Sequence, residues 1–119
     1  MEWNEALKKL KVRLGCTSSQ LAHVFEISVP VMTSWIKGYD SKNNPTTPTF
    51  VYAAIILRAT KISDTLLKNA FNLALKRPRM SNMEKNTALK NSTRHVSYNN
   101  LVMHQPSSVQ IFIENIYSN

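Results

Sequence analysis

"TSSQLAHVFEISVPVMTSWIKGY", Thr17 to Tyr39, is the stretch that decides the fold. It opens on Thr17 with Gln20 three residues later. That is a capping-box pattern, in which two side chains satisfy orphan N–H groups of a starting helix. Leu21, Ala22 and Phe25 then share one face, which predicts a short helix over 18–25. "EIS" reads as a tight turn, with Ser28 as the next N-cap. Pro30 falls in a first helical turn, where its missing N–H takes no bond away. Met32, Trp35 and Ile36 stand at i, i+3 and i+4 and give an inward face, while Val29, Thr33 and Lys37 lie four apart on another. A strand would align Val29, Val31 and Thr33 but put Trp35 and Lys37 in the same row, so a second helix is the better reading.

Upstream, Trp3, Leu7, Leu10 and Leu14 recur at helical spacing, with Lys8, Lys9, Lys11 and Arg13 mostly off that stripe and Gly15 as C-cap. Downstream, "GYDSKNNPTTP" is a loop dense in turn residues. Thr49 is placed to cap a fourth helix, "FVYAAIILRAT", which is apolar on nearly every face and is therefore expected to be largely buried. Ser63 caps a fifth, "DTLLKNAFNLALKR", with Asp64 in its first turn, Lys76 and Arg77 in its last, and Pro78 ending it. Leu67, Ala70, Phe71 and Ala74 form its main face; Leu66 and Leu73 form a second stripe that needs cover.

From Arg77 to about His104 the periodicity fades and Asn, Ser, Thr, Lys and His dominate, which predicts a flexible basic linker over 78–104. Lys76, Arg77 and Arg79 in "LKRPRM" read as helix-end charge running into that linker, in preference to an arm that enters a minor groove. Residues 105–119 turn apolar again. Val109, Phe112, Ile113, Ile116 and Tyr117 fit a helix, Val109, Ile111 and Ile113 fit a strand, and the sequence leaves both open. A small core, the second stripe of the fifth helix and this apolar segment all ask for cover, so 105–119 is expected to be a dimerisation element or a docking segment for a protein partner.

The chain has 119 residues, room for one domain and a tail. Fifteen Lys and Arg against seven Asp and Glu give a formal net charge of +8, which favours a polyanionic partner. The single cysteine, Cys16, cannot form an intrachain disulfide and suits a reducing cytosol. The longest apolar run, Phe50 to Leu57, is far short of a membrane span, and "MEWNEALKKLKVRLG" lacks the pattern of a signal peptide, so a cytoplasmic protein with no membrane partner is expected. His23, His95 and His104 have no metal-ligand spacing with Cys16. Without a glycine-rich phosphate loop, a carboxylate pair or a nucleophile elbow, no catalytic residue, metal or cofactor is expected, and the chain does not read as an enzyme.

Two short helices joined by a tight turn in a small basic helical domain form a helix-turn-helix. Ala22 is small where the two helices would cross, and Ile27 fills the turn from below. Ser28, Val29, Pro30, Thr33, Ser34 and Lys37 are left facing outward. In this register Thr17, Leu21, Ala22, Phe25, Ile27, Ser28, Met32, Trp35 and Gly38 resemble the lambda repressor/Cro-like (XRE-type) helix-turn-helix family over roughly residues 1–77. The resemblance implies an all-α, five-helix lambda-repressor-like domain over 1–77. It also implies a prokaryotic or phage transcriptional regulator, usually a repressor, that binds double-stranded DNA in a sequence-specific way as a homodimer on a palindromic operator. Thr33, Ser34 and Lys37 would then meet base edges or nearby phosphates, Val29 and Pro30 thymine methyls, and Lys42, Asn43 and Asn44 phosphates.

Two departures from the family stand out. Glu26 occupies a turn position where the family often has glycine, at a conformational cost of about 1 kcal/mol if φ is positive, and it places a negative charge near the DNA side. Ser18, with Ser19 beside it, stands where the family often has a longer glutamine for a phosphate. The competing expectation is that the same fold serves as a protein-interaction module, such as an antitoxin or an inhibitor of another complex, through Val29, Pro30 and Val31.

Overall fold

The computed structural model describes residues 2–77 and 107–118; the linker expected over 78–104, with Pro78, Arg79, His95 and His104, lies outside the described residues. Among the described residues the chain is all-helical: α1 (Trp3–Leu14), α2 (Ser18–Phe25), α3 (Val29–Lys37), α4 (Phe50–Thr60), α5 (Asp64–Leu75) and α6 (Ser108–Ile116). None of these helices is long and apolar enough to cross a membrane.

The boundaries follow from local chemistry. Thr17 and Gln20 form the expected capping box on α2, and Ser28 and Ser63 accept from Val31 N and Leu66 N at the starts of α3 and α5. Gly15 ends α1 in the left-handed region at φ 61°. Thr49 holds the extended N-cap conformation of α4, but its side chain makes no capping bond, a correction to the expected cap. Lys76 is the C-cap of α5 and Arg77 follows it, so both lie just past the last turn in which they were expected. Ser107 and Gln110 form a second capping box that starts α6. This start at 107–110 makes the described part of the ambiguous C-terminal segment a helix, Ser108–Ile116, despite its β-branched residues.

One core joins all six helices. Leu7 and Leu10 of α1, Leu21, Ala22, Val24 and Phe25 of α2, Met32 and Trp35 of α3, and Leu67, Ala70, Phe71 and Ala74 of α5 are buried. Trp3, Leu14, Ile27 and Ile36 pack against them half-buried. Arg13 fastens α1 to the α4–α5 junction: its guanidinium donates to Asp64 Oδ1 (2.6 Å), to the carbonyl of Ile62 (2.6 Å) and to that of Ala59 (3.2 Å).

One expectation is corrected here and one segment is placed. Helix α4 is not buried all round: Ile55, Ile56 and Ala59 are in the core, but Phe50 is 89% exposed and Val51 64%. Both stand off the face of α4 formed by Tyr52, Ile55, Ile56 and Ala59, which is the one that meets the other helices. The described C-terminal residues, 107–118, pack on the rest of the chain. The apolar face of α6 is spent on the chain's own core, with Phe112 and Ile116 fully buried against α5, α2 and α4. In this chain those two side chains lie in the core. Nor does α6 cover the whole second stripe of α5, since Leu73 stays half exposed.

An aromatic chain runs through this core. Trp35 of α3 meets Tyr52 of α4 at 5.5 Å between ring centroids, Tyr52 stacks on Phe25 of α2 at 5.9 Å, Phe25 meets Phe112 of α6 at 5.8 Å, and Phe112 meets Phe71 of α5 edge-on at 6.5 Å. These are favourable aromatic separations. The Tyr52 hydroxyl also donates to the carbonyl of Phe25, at the end of α2 (3.0 Å). Burial, helped by the nearby Glu26 charge, raises the Tyr52 pKa, which keeps the phenol a donor.

Candidate nucleic-acid interface

Helices α2 and α3 are joined by Glu26, Ile27 and Ser28 alone. Ile27 N donates back to the carbonyl of Ala22 at 3.1 Å, so the turn closes directly on the end of α2. Ala22 is wholly buried, which lets the two helices approach closely. With Met32 and Trp35 turned into the core, the opposite face of α3 is left outward.

That face and the following loop enclose an open groove of about 700 Å³. It brings together Val29, Pro30, Thr33, Ser34, Lys37 and Asn43 of the expected contact residues. Ser18, Ser19, Ser28, Lys42 and Asn44 lie outside its lining. Tyr39, Asp40 and Ser41 line it without having been expected, and so does Val31, which entered only the protein-docking expectation.

The loop is folded tightly, which fixes the groove wall. Gly38 ends α3 at φ 92°, a conformation that disfavours any side chain. Tyr39 and Pro45 form an antiparallel bridge, Thr46 N donates to the carbonyl of Gly38 (3.0 Å), and the Thr46 hydroxyl donates to that of Ser34 (2.7 Å). Asp40 organises the tip: its Oδ1 accepts from the amides of Lys42 and Asn44, each at 2.9 Å. Asn43 N donates to the Asp40 carbonyl (3.0 Å), with Asn43 itself left-handed at φ 63°. The Asn44 amide, seconded by that of Lys42, holds the Asp40 carboxyl below the usual carboxylate range. This Asx-type turn is legible in "DSKNN" once the aspartate is taken as the acceptor.

These bonds redefine what the expected residues offer. The loop amides at 42–44 point inward to Asp40, and the Asn44 side chain also hydrogen-bonds that carboxylate, so the side chains of Lys42 and Asn43 are what the loop offers most directly to a ligand. The Ser34 hydroxyl donates to the Val31 carbonyl (2.7 Å) and keeps only acceptor capacity for a ligand. Ser18 Oγ already accepts from Lys11 Nζ at 2.9 Å, and Ser19 is exposed. Lys37 is exposed and enters neither of the ion pairs formed among the described residues, Lys8–Glu5 and Arg13–Asp64. Asp40 puts an anion in the same groove, so the positive field there rests on Lys37 and Lys42.

Glu26 holds the left-handed φ of 58° that its turn position suggested. Its charge serves the start of α6: Oε1 accepts from Ser108 N (3.0 Å) and lies 3.1 Å from the Ser108 hydroxyl. Among the described residues no group of three or more His, Cys, Asp or Glu side chains gathers to hold a metal ion. No protein-family model, curated protein or solved structure matches the chain.

Proposed function

We propose that the chain is a DNA-binding transcriptional regulator, a non-enzymatic protein that uses α2 and α3 as a lambda-repressor-like helix-turn-helix. The observation that carries this is the outward face of α3: a short helix held from behind by Met32 and Trp35, presenting Thr33 and Lys37 beside a rigid loop. A helix so exposed fits a major groove. Lys37 donates to guanine O6/N7 or a phosphate, Val29 and Pro30 meet thymine methyls, and the Lys42, Asn43 and Asn44 side chains hold the backbone. A homodimer on a palindromic site, acting as a repressor, completes the proposal.

Selection of bound duplexes from a random pool tests it. A preferred site is expected, with Lys37→Ala weakening binding and lowering the salt slope by about one. Recovery of no preferred duplex removes the proposal. A second reading is favoured by one observation: Val29 and Val31 are each 40% exposed and Tyr39 is 49% exposed around the same groove, which also suits an apolar protein surface. A partner captured in the presence of nuclease, and lost on Tyr39→Ala but not on Lys37→Ala, would select that reading.

A further inference from the structure

The C-terminal helix is gripped at three points, two of them on α2 and the turn that follows it. The Ser108 side chain is buried, and its hydroxyl lies 3.0 Å from the His23 carbonyl and 3.1 Å from Glu26 Oε1, so its one proton is shared between two acceptors at the end of α2. The Ser108 amide donates to the same carboxylate oxygen (3.0 Å). A carboxylate at a helix N-terminus complements the helix dipole. At the other end Arg58 Nε donates to the carbonyl of Ile116 (3.0 Å), and its guanidinium lies 5.2 Å from the centre of the Tyr117 ring. His23 Nε2 is 2.7 Å from the carbonyl of Arg77, so α5 and α6 both reach their ends at this one residue.

The turn residue that makes these bonds is also the strained one. A glycine at position 26 would hold φ 58° without steric penalty; glutamate holds it and gains Ser108. From the turn, the aromatic chain Phe112–Phe25–Tyr52–Trp35 continues to α3. We propose that Glu26 is a positioning residue: by holding Ser108 it couples the seating of α6 to the geometry of the α2–α3 turn, and thereby to the outward face of α3. This rests on the DNA-binding proposal for its effect on affinity, but the coupling itself is measurable without DNA.

The test uses the full chain with Ser108→Ala, Glu26→Gln and Glu26→Gly. Native-state hydrogen exchange follows the α6 amides and Ile27 N, with α1 amides as control. Ser108→Ala is expected to lower the protection of α6 and of Ile27 together, by about tenfold or more, and to leave α1 unchanged. Glu26→Gln keeps an acceptor and should retain most of the protection. Glu26→Gly relieves the left-handed strain while it removes the clamp, so its thermal midpoint should stay near that of the parent while α6 protection falls. That split separates positioning from mere stability, and it serves equally if Ser108→Ala fails to fold. Loss of α6 protection with Ile27 unchanged overturns the coupling. So does unchanged affinity of Ser108→Ala or Glu26→Gly for the duplex that the parent selects. If the parent selects no duplex, the DNA-binding proposal fails, and the exchange result alone upholds or overturns the coupling.

Discussion

Replacing Phe112 by alanine asks directly whether α6 belongs to the core. Phe112 is 1% exposed and has aromatic partners in two helices, Phe25 at 5.8 Å and Phe71 at 6.5 Å. Truncation of a buried phenylalanine costs about 3–5 kcal/mol, and the lost ring pairs place this site at the upper part of that range. A domain of this size has a total stability of roughly 5–15 kcal/mol, so Phe112→Ala removes a large share of it. Phe112→Leu keeps most of the volume and should cost only about 1–1.5 kcal/mol, a fall of roughly 5–10 °C in melting temperature. Phe50→Ala is the control: an 89% exposed ring should change stability by no more than about 0.5 kcal/mol. Urea titration followed by circular dichroism at two protein concentrations, tenfold apart, gives the answer. The expected order is a large loss, a small loss and none. Equal small effects for Phe112→Ala and Phe50→Ala would refute the placement of α6. So would a midpoint that rises with concentration and loses that rise in Phe112→Ala, because the helix would then be covered by a second copy.

Three further outcomes are expected. Arg13→Ala should lower stability by about 1.5–3 kcal/mol, mainly through the Ala59 and Ile62 carbonyls it leaves unpaired, since the Asp64 pair is exposed; Arg13→Lys should not restore it, and urea titration of both variants checks this. The Asp40 carboxyl has a lowered pKa, so its contribution to the loop is present above the ordinary carboxylate range and is lost as pH falls through the lowered value; NMR titration should show the Lys42 and Asn44 amides moving with a midpoint below that of a free aspartate, and a midpoint at or above it would contradict the turn. Burial raises the Cys16 thiol pKa, partly offset by Lys11, so alkylation near pH 8 should be slower than for free cysteine and should speed up in urea.

The helices were legible because their ends are written locally. Thr17 with Gln20, Ser28, Ser63 and Gly15 each act within a few residues of themselves, and periodicity supplied the buried faces between them. What escaped the sequence depends on pairs far apart in the chain. Nothing near Phe112 says that its partners are Phe25 and Phe71, and the aperiodic residues between Arg77 and Ser107 cut the pattern that would have joined them. Glu26 reads as an anomaly until Ser108 is beside it. Phe50 and Val51 show the converse: apolar character predicted burial, but burial also needs a neighbour, and the two stand off the face of α4 that meets the core. At the candidate site the outward face of α3 was legible from Met32 and Trp35. The inward turn of the loop amides was not, because it required knowing that Asp40, and not an external phosphate, accepts them.

The separation of Ser108 from Glu26 and His23, 82 and 85 residues along the chain, also bears on how the protein is made. Helices α1–α5 are synthesised before α6. At about 5–20 residues per second, the stretch from 78 to 118 takes roughly 2–8 seconds to follow. For that interval the nascent chain holds Phe25 and Phe71 without the ring that lies between them, and the end of α2 without its partner. The core around Phe25 and Phe71 is thus completed by α6, and the nascent chain has an apolar surface to protect until that helix arrives.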